Sequence, residues 1–177
     1  MTPLHEVIVN KKTTINPIWI MRQAGRYLPE FREIRKKNPN FIELCLNHKL
    51  SSEISLQPIK RFDLDAAIIF SDILMLPYGL RQKVEFKKNF GPILGNLDIS
   101  VMSKIDEIDF AEKIYPVYRA IKSISSEMNI QNKNTIGFVG APWTLLVYMI
   151  NQQSPKKNVK KNFFENNFLI NRVLLII

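Results

Sequence analysis

The run Asp65–Phe70 (DAAIIF) constrains this chain more than any other segment. Between its leading aspartate and the Ser71-Asp72 that follows, every side chain is apolar. A strand without alternation has no face to give to water, so both of its faces must be covered, as in a parallel sheet flanked by helices. The neighbouring sequence fits that demand. Pro17–Met21 (PIWIM) and Thr135–Val139 (TIGFV) are two further apolar runs of strand length.

Helix-compatible segments separate these runs. Glu30–Lys37 is charged; a second helix is expected to open at Pro39 with Asn38 as its cap, carrying Phe41, Leu44 and Cys45 at helical spacing. Leu50–Lys60 follows, then Asp106–Met128, which Pro116 is expected to kink or divide. Pro142 opens a helix through Ile150, and a lysine-rich loop, Pro155–Lys161, leads to Phe163–Ile177. The intervening Pro77–Gly95 reads as a loop with a turn at Gly91-Pro92; its alternating stretch Gln82–Phe86 suits a hairpin better than a core strand. Strands alternating with helices predict an α/β fold built on a parallel sheet.

In such folds chemistry gathers just past the C-terminal ends of the strands. That rule selects Arg22 and Arg26, Ser71 and Asp72, and the region from Gly140. Two arginines four apart around Gly25 make a fork suited to carboxylates; the plainer alternative pairs them with Glu30 and Glu33. An acid among apolar neighbours, Asp72 must be hydrogen-bonded or serve a ligand; alternatively, Ser71 or Asp72 caps a short helix. Tyr148 reads as a core residue whose hydroxyl needs a partner.

Other chemistries find few residues. His5 and His48 lack partners at metal-ligand spacing, His48 reading as a surface helix residue. The single cysteine, Cys45, excludes both a thiolate zinc set and an internal disulfide, suits a reducing compartment, and reads as a small core hydrophobe. Neither GxGxxG nor a P-loop occurs. With 25 Lys+Arg against 16 Asp+Glu, the net charge of +9 favours polyanionic partners, either nucleic acid or a small molecule with many carboxylates. No recognised nucleic-acid motif supports the former. No membrane-length apolar stretch and no apolar N-terminal run occur, so a soluble cytoplasmic protein is expected.

Three segments carry a family resemblance. PIWIMRQAGRYLPEFR (Pro17–Arg32), LQPIKRFDLDAAIIFSDIL (Leu56–Leu74) and GFVGAPWTLLVYMI (Gly137–Ile150) resemble, in order, the uroporphyrinogen decarboxylase family, most strongly over residues 16–150. The resemblance implies a (β/α)8 TIM barrel with its cleft at the strands' C-terminal ends, usually a homodimer needing no cofactor or metal. It implies conversion of uroporphyrinogen III, a tetrapyrrole of the haem pathway, to coproporphyrinogen III with loss of four CO2. Arg22, Gln23, Ala24, Gly25 and Arg26 are then expected to bind substrate, and Arg22 also to handle a proton. Asp72 is expected to gather the pyrrole N–H groups, and Tyr148 to lie near the reacting acetate.

Such a barrel takes about 250 residues, so residues 1–177 are expected to be the N-terminal part of one barrel domain. The closing VLLII reads as if cut within a helix, and the family's later cleft residues, a Ser or Thr and a His, have no counterpart. Arg81 stands where the family has glycine, and Asn151-Gln152-Gln153 where an acidic, glycine-rich turn is usual. The competing readings are an inactive fragment of that enzyme, a basic nucleic-acid-binding module, and a corrinoid-linked methyltransferase of the same fold, whose zinc ligands are not found.

Overall fold

The computed structural model describes residues 1–12, 14–155 and 167–177, so most of the expected loop Pro155–Lys161 and the start of the expected helix Phe163–Ile177 lie outside the described residues. The chain packs as two compact units, one of residues 1–71 and 116–138, the other of 72–115 and 139–177.

In the first unit, helices α1 (Pro3–Ile8), α2 (Pro29–Lys37), α3 (Phe41–Leu46) and α4 (His48–Arg61) precede strand β1 (Ala66–Ile68). Asn40, not Asn38, caps α3: its Oδ1 accepts from Ile42 N–H at 3.1 Å and Glu43 N–H at 3.3 Å. Pro39 therefore sits before the cap, since a proline at N1 would need its cap one residue earlier, and Asn38 instead ends α2.

Strand β1 pairs in parallel with β4 (Asn134–Ile136), Ala66 opposite Asn134 and Ile68 opposite Ile136. Both faces of the DAAIIF run are covered. Ala67 and Ile69 pack with Ile59, Leu64, Ile124 and Met128, while Phe70 packs against Leu28, Phe31, Leu44 and Ile54. The rings of Phe31 and Phe41 meet Phe70 edge-on at 5.8 and 5.7 Å.

The run nevertheless contributes only three residues to the ladder. On the edge of the run away from β4, two buried serines one turn apart on α4 hold Phe70: Ser51 Oγ donates to Phe70 O at 2.6 Å, and Ser55 Oγ accepts from Phe70 N–H at 2.7 Å. Phe70 thus has both backbone groups satisfied by hydroxyls and none left for a neighbouring strand. The last bond between the run and the β4 segment is Ile69 N–H to Ile136 O, 3.1 Å, and beyond it the expected strand Thr135–Val139 does not continue. Phe138 and Val139 lie 46% and 78% exposed.

The second unit holds α5 (Met75–Gly79), an antiparallel hairpin of β2 (Val84–Lys87) and β3 (Gly91–Leu94), α6 (Ile99–Met102), α8 (Pro142–Asn151) and α9 (Asn167–Ile176). The alternating stretch is a hairpin strand as expected, but Gly91-Pro92 opens β3 instead of forming the turn, which falls on 88–90. Gln82 Nε2 ties the hairpin's base to Gly95 O and Met149 O at 2.9 and 3.0 Å. Between α6 and β4 runs α7 (Glu107–Ile130), unbroken through Pro116. A proline removes one donor from the ladder, and the other bonds of a 24-residue helix persist around it. Among the described residues no helix is long and apolar enough to cross a membrane.

Candidate active site

The segment Pro17–Met21 is not a strand. Ile18 meets Asp65, its carbonyl accepting from Asp65 N–H at 2.9 Å and its N–H donating to Asp65 Oδ2 at 2.6 Å. A ladder would continue toward β1, but the side-chain amide of Gln23 intervenes. Gln23 Oε1 accepts from Ile20 N–H at 3.2 Å, and Gln23 Nε2 donates to Ala66 O at 2.8 Å. The amide stands where a peptide group would bridge the two segments, so the chain is held near β1 without joining it.

The loop then turns sharply. Gln23 N–H donates to Ile20 O at 3.0 Å, closing a four-residue turn with Arg22 at φ 61°. That left-handed conformation costs a non-glycine residue on the order of 1–2 kcal/mol. Two more side chains tie the loop: Tyr27 Oη donates to Gln23 O, and Arg32 Nη1 donates to Arg26 O and Tyr27 O at 2.9 and 3.2 Å. Gly25 has no such constraint, as a Cβ there would find its nearest neighbour at an ordinary 3.7 Å.

Within the loop, Ala24 packs toward the Leu28 and Phe31 cluster, whereas Arg22 and Arg26 are exposed. The simpler pairing with Glu30 does not occur. Arg61 holds Glu30 in a two-pronged bridge, Nε to Oε1 at 3.0 Å and Nη2 to Oε2 at 2.9 Å. Among the described residues no carboxylate bonds Arg22 or Arg26. Arg26 instead has a cationic neighbour, Arg35, whose pKa is lowered first by burial and then by the Arg26 charge. Two guanidiniums without a carboxylate of their own are available to an anion.

In the second unit Asp72 is half-buried. Its Oδ1 accepts from Leu74 N–H at 2.9 Å, making an Asx turn ahead of α5, whose cap position is Leu74 and not Ser71 or Asp72. Among the described residues nothing donates to Oδ2. Burial raises the carboxyl pKa and the Leu74 N–H partly opposes this; no neighbouring charge enters. Gly140 lies close behind, since a Cβ there would meet Leu145 at 2.8 Å and Ile73 at 3.1 Å. Tyr148, half-buried on α8, has its hydroxyl 3.4 Å from Ser154 Oγ. Of the remaining expectations, Cys45 is fully buried, and His48 is half-buried instead of at the surface, its pKa lowered mainly by that burial.

The sequence missed the clamping residues Tyr27, Arg32, Ser51 and Ser55, and placed Gln23 only in the substrate-binding segment. The signal for the serines was present: polar residues four apart beside Ile54 and Ile59, on the stripe that packs inward.

Parallel pairing of strands flanked by helices places the chain in the α/β class. The chain matches the family described as uroporphyrinogen decarboxylase (URO-D) over residues 1–177, and it belongs to that family. It is 44% identical over 168 residues to a protein named uroporphyrinogen decarboxylase from Campylobacter jejuni, covering 93% of this chain and 49% of that protein. Proteins of the same name from Agrobacterium fabrum and Rickettsia felis are 46% and 43% identical over 144 and 160 residues, covering 81% and 89% of this chain and 42% and 46% of theirs. The chain thus spans about half the length of the curated relatives it matches.

Proposed function

We propose that this chain is the N-terminal part of a (β/α)8 uroporphyrinogen decarboxylase, a cytoplasmic homodimer when whole, acting on uroporphyrinogen III without a cofactor. The observation that carries the reading is the Arg22–Arg26 loop, whose two guanidiniums have no carboxylate partner among the described residues and face a substrate bearing eight. The side chain of Arg26 supplies a bidentate fork to one of them. Gly25, free of any packing demand for glycine, lets the backbone approach the macrocycle.

The chemistry removes each acetate in turn. Protonation of the pyrrole makes the ring an electron acceptor, with Arg22 handling the proton. The bond between methylene and carboxylate breaks, its electron pair enters the ring and CO2 leaves. The methylene carbon then takes a proton as the ring proton is lost, so one –CH2–COO− and one H+ give –CH3 and CO2. Asp72 accepts pyrrole N–H bonds through its unengaged Oδ2 and opposes the cationic ring, a preorganised electrostatic role. Tyr148 contacts the reacting acetate.

The test is a chimera continuing this chain with the second half of the Campylobacter jejuni relative. Supplied with uroporphyrinogen III kept reduced, it is expected to release coproporphyrinogen III and four CO2. A folded chimera releasing neither would overturn the assignment.

A further inference from the structure

Gln23 belongs to the segment expected to bind substrate, yet it has little to bind with. Its side chain is 2% exposed. Each of its four polar groups is engaged inside the protein: Nε2 by Ala66 O, Oε1 by Ile20 N–H, the main-chain N–H by Ile20 O, and the main-chain carbonyl by the Tyr27 hydroxyl. A buried side chain whose donor and acceptor both meet backbone groups acts as an interposed peptide.

Resting on the reading above, we propose that Gln23 is a positioning residue that does not touch substrate, and that it presents Arg22 and Arg26 by anchoring their loop to the edge of β1. Without the amide, Ile20 N–H and Ala66 O both lose their partner, and the segment that carries Arg22 in its left-handed turn is no longer anchored to β1. The amide bridges Ile20 N–H and Ala66 O, beside the main-chain turn that carries Arg22 at φ 61°. Tyr27 and Arg32 complete the fixation from the far side, through Gln23 O and Arg26 O.

The decisive variant is Gln23→Met, which keeps length and burial but has no amide. Hydrogen exchange on the 177-residue chain should show the Ile20 amide losing about 100-fold of protection, while Ile69, bonded to Ile136 O in the β1–β4 pair, keeps its own. Binding of reduced coproporphyrinogen by the chimera should weaken by about 10-fold or more, as expected when a clamp is displaced by a fraction of an ångström. In an Arg26→Lys background the same change should cost almost nothing further, because both lesions disable one clamp.

Unchanged Ile20 protection overturns the proposal, and so do effects of Gln23→Met and Arg26→Lys that simply multiply, which would mean direct contact with the ligand. A chimera with the wild-type loop that fails to bind coproporphyrinogen counts against the decarboxylase reading instead, and Ile20 exchange still decides the role of Gln23. Should Gln23→Met lose Ile69 protection as well, Gln23→Glu replaces it. The neutral acid can make both bonds, and the buried carboxylate loses its donor. Affinity falling with rising pH, on a limb absent from wild type, supports positioning, and a profile like wild type's refutes it.

Discussion

Two arginines in this molecule share a backbone conformation and differ in everything around it. Arg22 sits at φ 61° in the loop after Ile20, and Arg81 at φ 67° just beyond α5. Around Arg22 the loop is tied by Gln23, Tyr27 and Arg32. Arg81 ends a helix in a Schellman arrangement, its N–H donating to Tyr78 O at 3.1 Å and the next N–H, of Gln82, to Pro77 O at 2.9 Å. That is the position where glycine is the usual residue, and where relatives are expected to carry it. Strain of the same kind is therefore braced by side chains in the loop with a proposed role, and left to the helix end where none is assigned.

Arg22→Gly should separate the two most sharply. Glycine adopts the turn freely, so stability of the chain should hold or rise, while decarboxylation by the chimera falls on the order of 100-fold with the lost guanidinium. Urea unfolding and product formation on one preparation measure both. An active Arg22→Gly chimera would make the strain at Arg22 as incidental as that at Arg81.

Asp72→Asn extends the contrast to pH. Burial raises the Asp72 pKa, so the folded state holds that proton more tightly than the unfolded chain does. Stability from this group is therefore full below the ordinary carboxylate pKa and declines as pH rises through the elevated one. The asparagine variant removes the decline: it should be more stable than wild type near neutrality and equal to it in acid, while activity drops about 100-fold. Thermal unfolding from acid to neutral pH follows the first effect. Curves that stay parallel across the range would mean that Asp72 titrates normally.

How much of this was legible beforehand follows from which forces are local. The DAAIIF run announced a doubly covered strand, and Asp72 and the two arginines stood out because they follow apolar runs directly. The ends of the strands were not legible. Ser51 and Ser55 take up the backbone groups of Phe70 from a helix 15 or more residues earlier in the chain, and Gln23 stands between Pro17–Met21 and Ala66. Tertiary hydrogen bonds of this kind leave no periodicity. The cap of α3 failed for a smaller reason, since Asn38 and Asn40 flank Pro39 and spacing alone did not choose between them.

The smallest expected effects lie at two left-handed helix ends, and they share one cause. Arg81 and Gln152 both hold positive φ, 67° and 60°, and Gln152 ends α8 as its left-handed cap. Arg81→Gly should raise stability by about 1 kcal/mol, because the Cβ clash of the left-handed turn disappears and the helix-end bonds, all main-chain, survive. Gln152→Gly should gain less. Its main-chain carbonyl still accepts from Leu94 N–H, but the side-chain bond from Nε2 to Asn96 Oδ1, at 3.2 Å and exposed, is lost. Neither change touches a group assigned to the reaction, so chimera activity should stay at the wild-type level. Urea midpoints at constant slope decide the order. A destabilised Arg81→Gly would mean that the guanidinium makes a contact worth more than the strain, and that its conformation is held for a purpose after all.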